Sequence, residues 1–216
     1  MANMRDIRIR IRSVKNIQQI TKAMKMVASA RLQKAQSKAQ GAMPFTVRLK
    51  EILGNLSESS TSYTHPLMVR PKKPTGRTAY ILITADKGLA GAYSSNVIKE
   101  LLPKVKEDPN AEIISVGRKG YEYFHRRGYS ISKRYAGFSE RPTAEDANLI
   151  ACEVMNIFLT GNYDEIHLVF TQFFSAAHHV PRTMQLLPIE AVDTKTDEVS
   201  KKALYELEPS DEEVLN

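Results

Sequence analysis

Tryptophan is absent from these 216 residues, cysteine occurs once, and acids are nearly missing from the first fifty positions. Each shortage excludes something. With Cys152 alone the chain forms no internal disulfide and no multi-cysteine metal centre, which suits a reducing compartment. No run approaches the roughly 18 to 20 consecutive apolar residues of a membrane-spanning helix. The opening MANMRDIRIRIR carries charge where a secretory signal is apolar. What remains is a chain with 42% hydrophobic and 25% charged residues, long enough for one domain with an appendage or for two small domains.

The net charge of +7 is unevenly spread. Residues 1–50 hold twelve Lys and Arg against a single acid, Asp6; residues 51–192 are nearly balanced; residues 193–216 hold eight acids against three lysines. Over the same basic stretch, apolar residues recur at Ile7, Ile11, Val14, Ile17, Ile20, Met24, Val27, Leu32, Ala35, Ala39 and Ala42. The mean step is about 3.5, the period of a seam that stays against a partner helix in a left-handed coiled coil. The strand-like alternation IRIRIR at residues 7–12 is overridden because the helical spacing continues through it. A helix is predicted over residues 1–57, bent near 41–44 where Gly41 and Pro44 fall. At 1.5 Å per residue its first part is a rod of roughly 55 Å, longer than a compact body of the remaining residues is wide, at about 40 Å. An apolar seam on such a projection is unfavourable in water, so it implies a partner helix or a sleeve.

Residues 58–77, rich in Ser, Thr and Pro, read as a linker. Residues 78–192 read as an α/β domain, with strands at Ala79–Thr84, Glu112–Val116, Ile166–Phe174 and Met184–Ile189 and a weaker one at Tyr129–Tyr135. Helices alternate with them at Ser95–Lys106, Lys119–Arg127 and Ala144–Thr160, the last with Thr143 as N-cap and Gly161 as its stop. The alternation predicts a Rossmann-like, mostly parallel, doubly wound sheet. The acidic segment 193–216 has no apolar period that places it.

Candidate chemistry is sparse. The turn from Asp86 to Tyr93 sits where such sheets bind nucleotides, but its glycines match neither G-x-G-x-x-G nor G-x-x-x-x-G-K-[ST], and a tight strand-to-helix connection is the better reading. His178 and His179 are adjacent and diverge; His167 has no cysteine or carboxylate at ligand spacing; no metal site is expected. Cys152 reads as a buried, inert helix thiol. Asp164 and Glu165 read as a polar turn, and no Ser, His and Asp set emerges. No cofactor and no catalytic constellation are expected. The cations Arg5, Arg8, Arg10, Arg12, Lys15, Lys22, Lys25, Arg31, Lys34 and Lys38 call for an anionic neighbour, since like charges four residues apart, as at Arg8 and Arg12, are mutually destabilising. A nucleic-acid-binding arm is the alternative function, but Phe45 is the sole aromatic of the first fifty residues and phosphate binding leaves the seam unexplained. A cleaved organellar presequence fits the charge, but the helical pattern runs too long. A protein partner with acidic loops and an apolar bore accounts for both stripes.

The segment MRDIRIRIRSVKNIQQITKAMKMVASARLQKAQ resembles the N-terminal helix of the gamma subunit of rotary ATP synthases, and ILITADKGLAGAYSSNV, GRKGYEYF, FLTGNYDEIHLVFTQFFS and MQLLPIE continue the resemblance in order. It implies a non-catalytic rotor subunit of a proton-driven ATP synthase, whose N- and C-terminal helices wind together inside the hexameric head of alpha and beta subunits. Its α/β domain would bind the epsilon subunit and stand on the membrane c-ring, so that membrane association is peripheral and through partners, with no nucleic acid involved. Carried over by position, Ile17 to Val27, with Ile20 and Lys22 among them, would turn within the head; Met24 and Lys25 would face the acidic lever loops; Arg8, Arg12 and Lys15 would lie higher in the shaft; Tyr205, in YELEP, would lie over the c-ring. The family's C-terminal helix is expected after YELEP, and some seventy further residues with it. The thiol pair of plastid forms has no counterpart. The implied location is the cytoplasmic face of a bacterial membrane, with a mitochondrial or plastid inner membrane as the alternative.

Overall fold

The computed structural model describes residues 3–59, 65–138, 142–175 and 177–189. They belong to two compact units, one built on the N-terminal helix and one on the α/β sheet. Helix α1 runs from Met4 to Ser59 as one element of 56 residues, about 84 Å long at 1.5 Å per residue. It starts where Asn3 turns the chain: the Asn3 carbonyl accepts from Asp6 N at 2.9 Å and Ile7 N at 3.2 Å. Asp6 adds a negative charge to the first turn, where the helix dipole favours it. The helix continues through Gly41 and Pro44. Pro44 has no N–H for the carbonyl four residues earlier, but that carbonyl lies on an exposed stretch where water can replace the bond. Just beyond, the Thr46 hydroxyl donates to Ala42 O at 3.1 Å.

The second unit is a five-stranded sheet in the order β3-β2-β1-β4-β5. Its strands are β1 Thr78–Ile83, β2 Glu112–Val116, β3 Ile131–Tyr135, β4 Glu165–Phe173 and β5 His179–Leu187. The first four are mutually parallel, and β5 returns antiparallel to β4. Helices α2 (Tyr93–Glu107), α3 (Arg118–His125) and α4 (Ala144–Leu159) connect them. Because strand side chains alternate, β1 serves two cores. Tyr80 and Leu82 pack with Val97, Leu101 and Val105 of α2 and Phe124 of α3; Ala79 and Ile81 pack with Val154 and Phe158 of α4. Helices therefore cover both faces, the doubly wound arrangement expected, with one antiparallel edge strand.

Most elements fall within two residues of their sequence-based bounds. Helix α4 begins with a reciprocal capping box: Thr143 Oγ1 accepts from Asp146 N, and the Asp146 carboxylate accepts from Thr143 N at 2.9 Å. Strand β5 is the exception, starting five residues before its expected onset at Met184. Pro181 discourages a strand there, yet β5 is an edge, and an edge tolerates a missing N–H on its open side.

Residues 65–77, expected as linker, are tied to the sheet. The His65 ring accepts from Leu67 N at 3.2 Å to start a 3₁₀ turn over Pro66–Met68. Leu67 packs in the α4-side core, and its carbonyl accepts from Ile189 N at 2.8 Å. Asp164 closes the other end of the segment by accepting from Thr75 N at 2.8 Å and Gly76 N at 2.7 Å. Arg77 pairs with Glu112, which also accepts from the Tyr163 hydroxyl at 2.7 Å. The acidic segment 193–216, and Tyr205 within it, lie outside the described residues.

Candidate functional site

On α1 the apolar seam is bare. Ile7, Ile11, Val14, Ile17, Ile20, Met24, Val27 and Leu32 are all exposed, between 42% and 63%. A half-exposed Ile or Met leaves on the order of 1 kcal/mol of burial unrealised, so covering these eight is worth several kcal/mol before ordering costs. The charged residues are arranged beside the seam. Arg8, Lys15 and Lys22 recur every seven residues, which aligns them along the helix, and Arg12 stands one turn beyond Arg8. No carboxylate on α1 balances them past Asp6 before Glu51. All nine residues expected to meet a partner on this helix, Arg8, Arg12, Lys15, Ile17, Ile20, Lys22, Met24, Lys25 and Val27, are exposed. Local polarity is handled within the helix: the Thr21 hydroxyl donates back to Ile17 O and Gln18 O, both at 3.0 Å. What α1 offers is a long surface with a greasy line and a positive line side by side.

The carboxyl ends of the parallel strands, where an α/β sheet would hold a nucleotide, are occupied by the chain's own groups. Asp86, after β1, accepts from Arg118 N and Gly137 N, each at 3.0 Å, while its carbonyl accepts from Arg118 Nε at 3.0 Å. One carboxylate thus joins the loops after β1, β2 and β3. Its negative charge stands where a phosphate would be repelled, and the first residue of α2 follows a cap, Ala92, without a side-chain bond. In the same turn Leu89 takes φ 61° and Gly91 φ 56°, left-handed angles that let the chain double back into α2. The structural reading of this turn is the one the geometry supports.

Other candidates resolve into structure. His167 does have a carboxylate nearby, contrary to the sequence reading: its Nε2 lies 3.0 Å from Glu165 Oε2, two residues back on the same strand face, and the ring stacks on Tyr80 at 5.4 Å. Glu165 also pairs with Arg70. His178 stacks on Phe174 at 4.9 Å. Among the described residues no three His, Cys, Asp or Glu side chains cluster as metal ligands would. Cys152 is exposed rather than buried; α4 turns Val154 and Phe158 to the core, which leaves Leu149 and Cys152 on the outer side.

Asp164, read from the sequence as part of a polar turn, anchors the fold, and Thr84 and Gly117 matter to it without a sequence reading of their own. Asp164 accepts two backbone N–H bonds. Burial alone would raise its pKa, but the bonds from Thr75 and Gly76 and the charge of Arg70 outweigh that, holding its carboxyl below the usual range. Thr84 Oγ1 accepts from Gly120 N at 2.9 Å. Gly117, at φ 102°, brings its backbone so close to β1 that a Cβ would sit 2.1 Å from Thr84 O. The spaced glycines of GRKGYEYF were the available signal, since Gly120 is crowded as well, with Leu82 at 2.8 Å from a Cβ.

The family described as ATP synthase matches residues 3–216. The ATP synthase gamma chain of Heliobacterium modesticaldum is 41% identical over all of this chain and 76% of that relative. The gamma chain of Desulfitobacterium hafniense is 40% identical, again over all of this chain, covering 74% of its own length. Among solved structures, the central stalk and c-ring of the Tetrahymena thermophila mitochondrial ATP synthase contains a chain of similar fold, with TM-score 0.61 and 23% identity over 78% of this chain and 72% of that one. A chain of the Euglena gracilis mitochondrial enzyme aligns with TM-score 0.55 at 21% identity, over 83% of this chain and 55% of that one. The exposed 3.5-residue seam, the basic line beside it and the sheet with helices on both faces are therefore those of a known kind of molecule: the chain belongs to the ATP synthase gamma chain family.

Proposed function

We propose that this chain acts as the non-catalytic central-stalk subunit of a proton-driven ATP synthase, with α1 as half of a shaft turning inside a head of alpha and beta subunits. The observation that carries the reading is the seam from Ile7 to Leu32, exposed along a 3.5-residue period. The small residues Ala28, Ala35, Ala39 and Ala42 would let a second helix approach closely. Ile17, Ile20, Met24 and Val27 would bear on the inner wall of the head, Arg8, Arg12, Lys15 and Lys22 would face its anionic surfaces, and Lys25 the acidic levers. Tyr205 would meet the c-ring, and the α/β unit the epsilon subunit. Coupling then follows without chemistry on this chain. A stiff asymmetric rod favours a different conformation at each of three surrounding sites, and rotation moves that preference from one site to the next. No helix of the described residues is long and apolar enough to cross a membrane, so attachment to the membrane sector would be through partners, on the cytoplasmic face.

The test is assembly. Purified chain mixed with the alpha and beta subunits of a bacterial relative should co-elute with them. Ile17→Asp with Ile20→Asp, which charges the seam while leaving the α/β unit untouched, should weaken association at least tenfold. Equal binding by the double variant would overturn the assignment of the seam.

A further inference from the structure

The segment from α3 through β3, at the edge of the sheet, carries more cations than its carboxylates pair with. Between Arg118 and Tyr135 there are six Lys and Arg and one acid, Glu122. Three of the six are accounted for: Arg118 and Lys119 lie near Glu122, and Lys133 pairs with Glu153. Arg126, Arg127 and Arg134 have no carboxylate partner among the described residues. Two of these sit over aromatic rings. Arg134 lies 4.3 Å over Tyr121, which itself stacks on His125 at 5.0 Å, and Arg127 lies 3.7 Å over Tyr123 while donating to Tyr123 O at 3.1 Å. A guanidinium over an aromatic face keeps N–H groups at the rim, for Arg127 those besides the one given to Tyr123 O, and has already lost much of its rotamer freedom, so binding a carboxylate costs it less. Beside them, among the described residues, β3 pairs only with β2 and is the last strand of its sheet, so none of those residues bonds to the other side of its backbone.

Positioned guanidinium groups and an open strand edge select the same occupant. We propose that the β3 edge is a docking surface for an extended acidic segment of a partner protein, which adds a strand alongside Ile131–Tyr135 and places alternate carboxylates on Arg126, Arg127 and Arg134. Backbone pairing fixes the register and the carboxylates supply the discrimination. The proposal concerns the α/β unit by itself and stands or falls separately from the reading of α1.

The probe is a blocked, labelled octapeptide of alternating Glu and Val, added to the full chain and followed by hydrogen exchange. Slowed exchange at residues 131–135, lost when alternate peptide nitrogens are N-methylated, is the expected result, because methylation keeps every charge and removes only strand pairing. Arg126→Gln, Arg127→Gln and Arg134→Gln together should weaken binding at this edge at least tenfold, whereas Lys72→Gln, Lys73→Gln and Lys106→Gln together should leave it within about twofold. Protection confined to α1, equal protection by the methylated peptide, or no protection at β3 would each overturn the proposal. So would protection of β3 by anionic phospholipid vesicles or duplex DNA at concentrations where the peptide gives none.

Discussion

Gly117 is the most constrained single position described. At φ 102° an L side chain is already strained, and a Cβ there would stand 2.1 Å from Thr84 O, a backbone atom with nowhere to move. Gly117→Ala should cost about 3 kcal/mol or more of α/β-unit stability, measured by urea unfolding with a midpoint shift at unchanged slope; a loss under about 1 kcal/mol would show the approach to be looser than drawn. Thr84→Val tests the other side of the same contact, removing the hydroxyl that accepts from Gly120 N, and a loss of about 1–3 kcal/mol is expected for a buried donor left unpaired. Asp164 gives a pH signature. Its carboxyl is held below the ordinary range by Thr75 and Gly76 N–H groups against the opposing effect of burial. A depressed folded-state pKa contributes stability that is present above the unfolded value near 3.8 and lost as pH falls through the folded one. Asp164→Asn should therefore be less stable than the parent at pH 7, with the gap closing below about pH 4 in parallel acid titrations of unfolding. A pH-independent gap would assign the effect to packing instead. These residues also mark the limit of reading the sequence. The paired glycines of GRKGYEYF are visible in it, but which backbone each one approaches depends on β1 and β2 lying side by side. Cys152 fails for a related reason, since an apolar helix does not declare which of its faces the sheet takes.

At the scale of elements, the cues that proved legible are local. Thr143 before an acidic first turn and Gly161 at φ 74° bracket α4 where expected, and β-branched runs locate β1, β2 and β4 to within a residue or so. Strand β5 was legible only in its second half, because the penalty for Pro181 vanishes on an open edge that the sequence does not reveal. For α1 the period itself was the cue, and it predicts behaviour as well as structure. Charge reversal at Arg8, Arg12 and Lys15 should lower ATP-driven proton pumping in the reconstituted enzyme while leaving the thermal unfolding of the α/β unit unchanged. Unimpaired pumping by the triple Glu variant would remove the electrostatic part of the account. Met24→Lys, placing a cation on the seam itself, should likewise reduce pumping per ATP hydrolysed; full efficiency would show that this position does not touch the head.

For the molecule as a whole, two units divide the work. The sheet unit fills its own faces: two cores cover them, Asp86 ties its loops, and Asp164, just before β4, holds Thr75 and Gly76. The helix unit does not, since every large apolar residue along its seam is left to solvent. A long helix with that surface gains stability only when the surface is covered, because helix propensity alone is weak. The most direct test is hydrogen exchange at residues 7–32 of the full chain, alone and after assembly with alpha and beta subunits. Exchange slowed at least tenfold across Ile17–Val27 in the assembly is predicted, with the α/β core protected in both states; equally fast exchange at those amides in both would contradict the account.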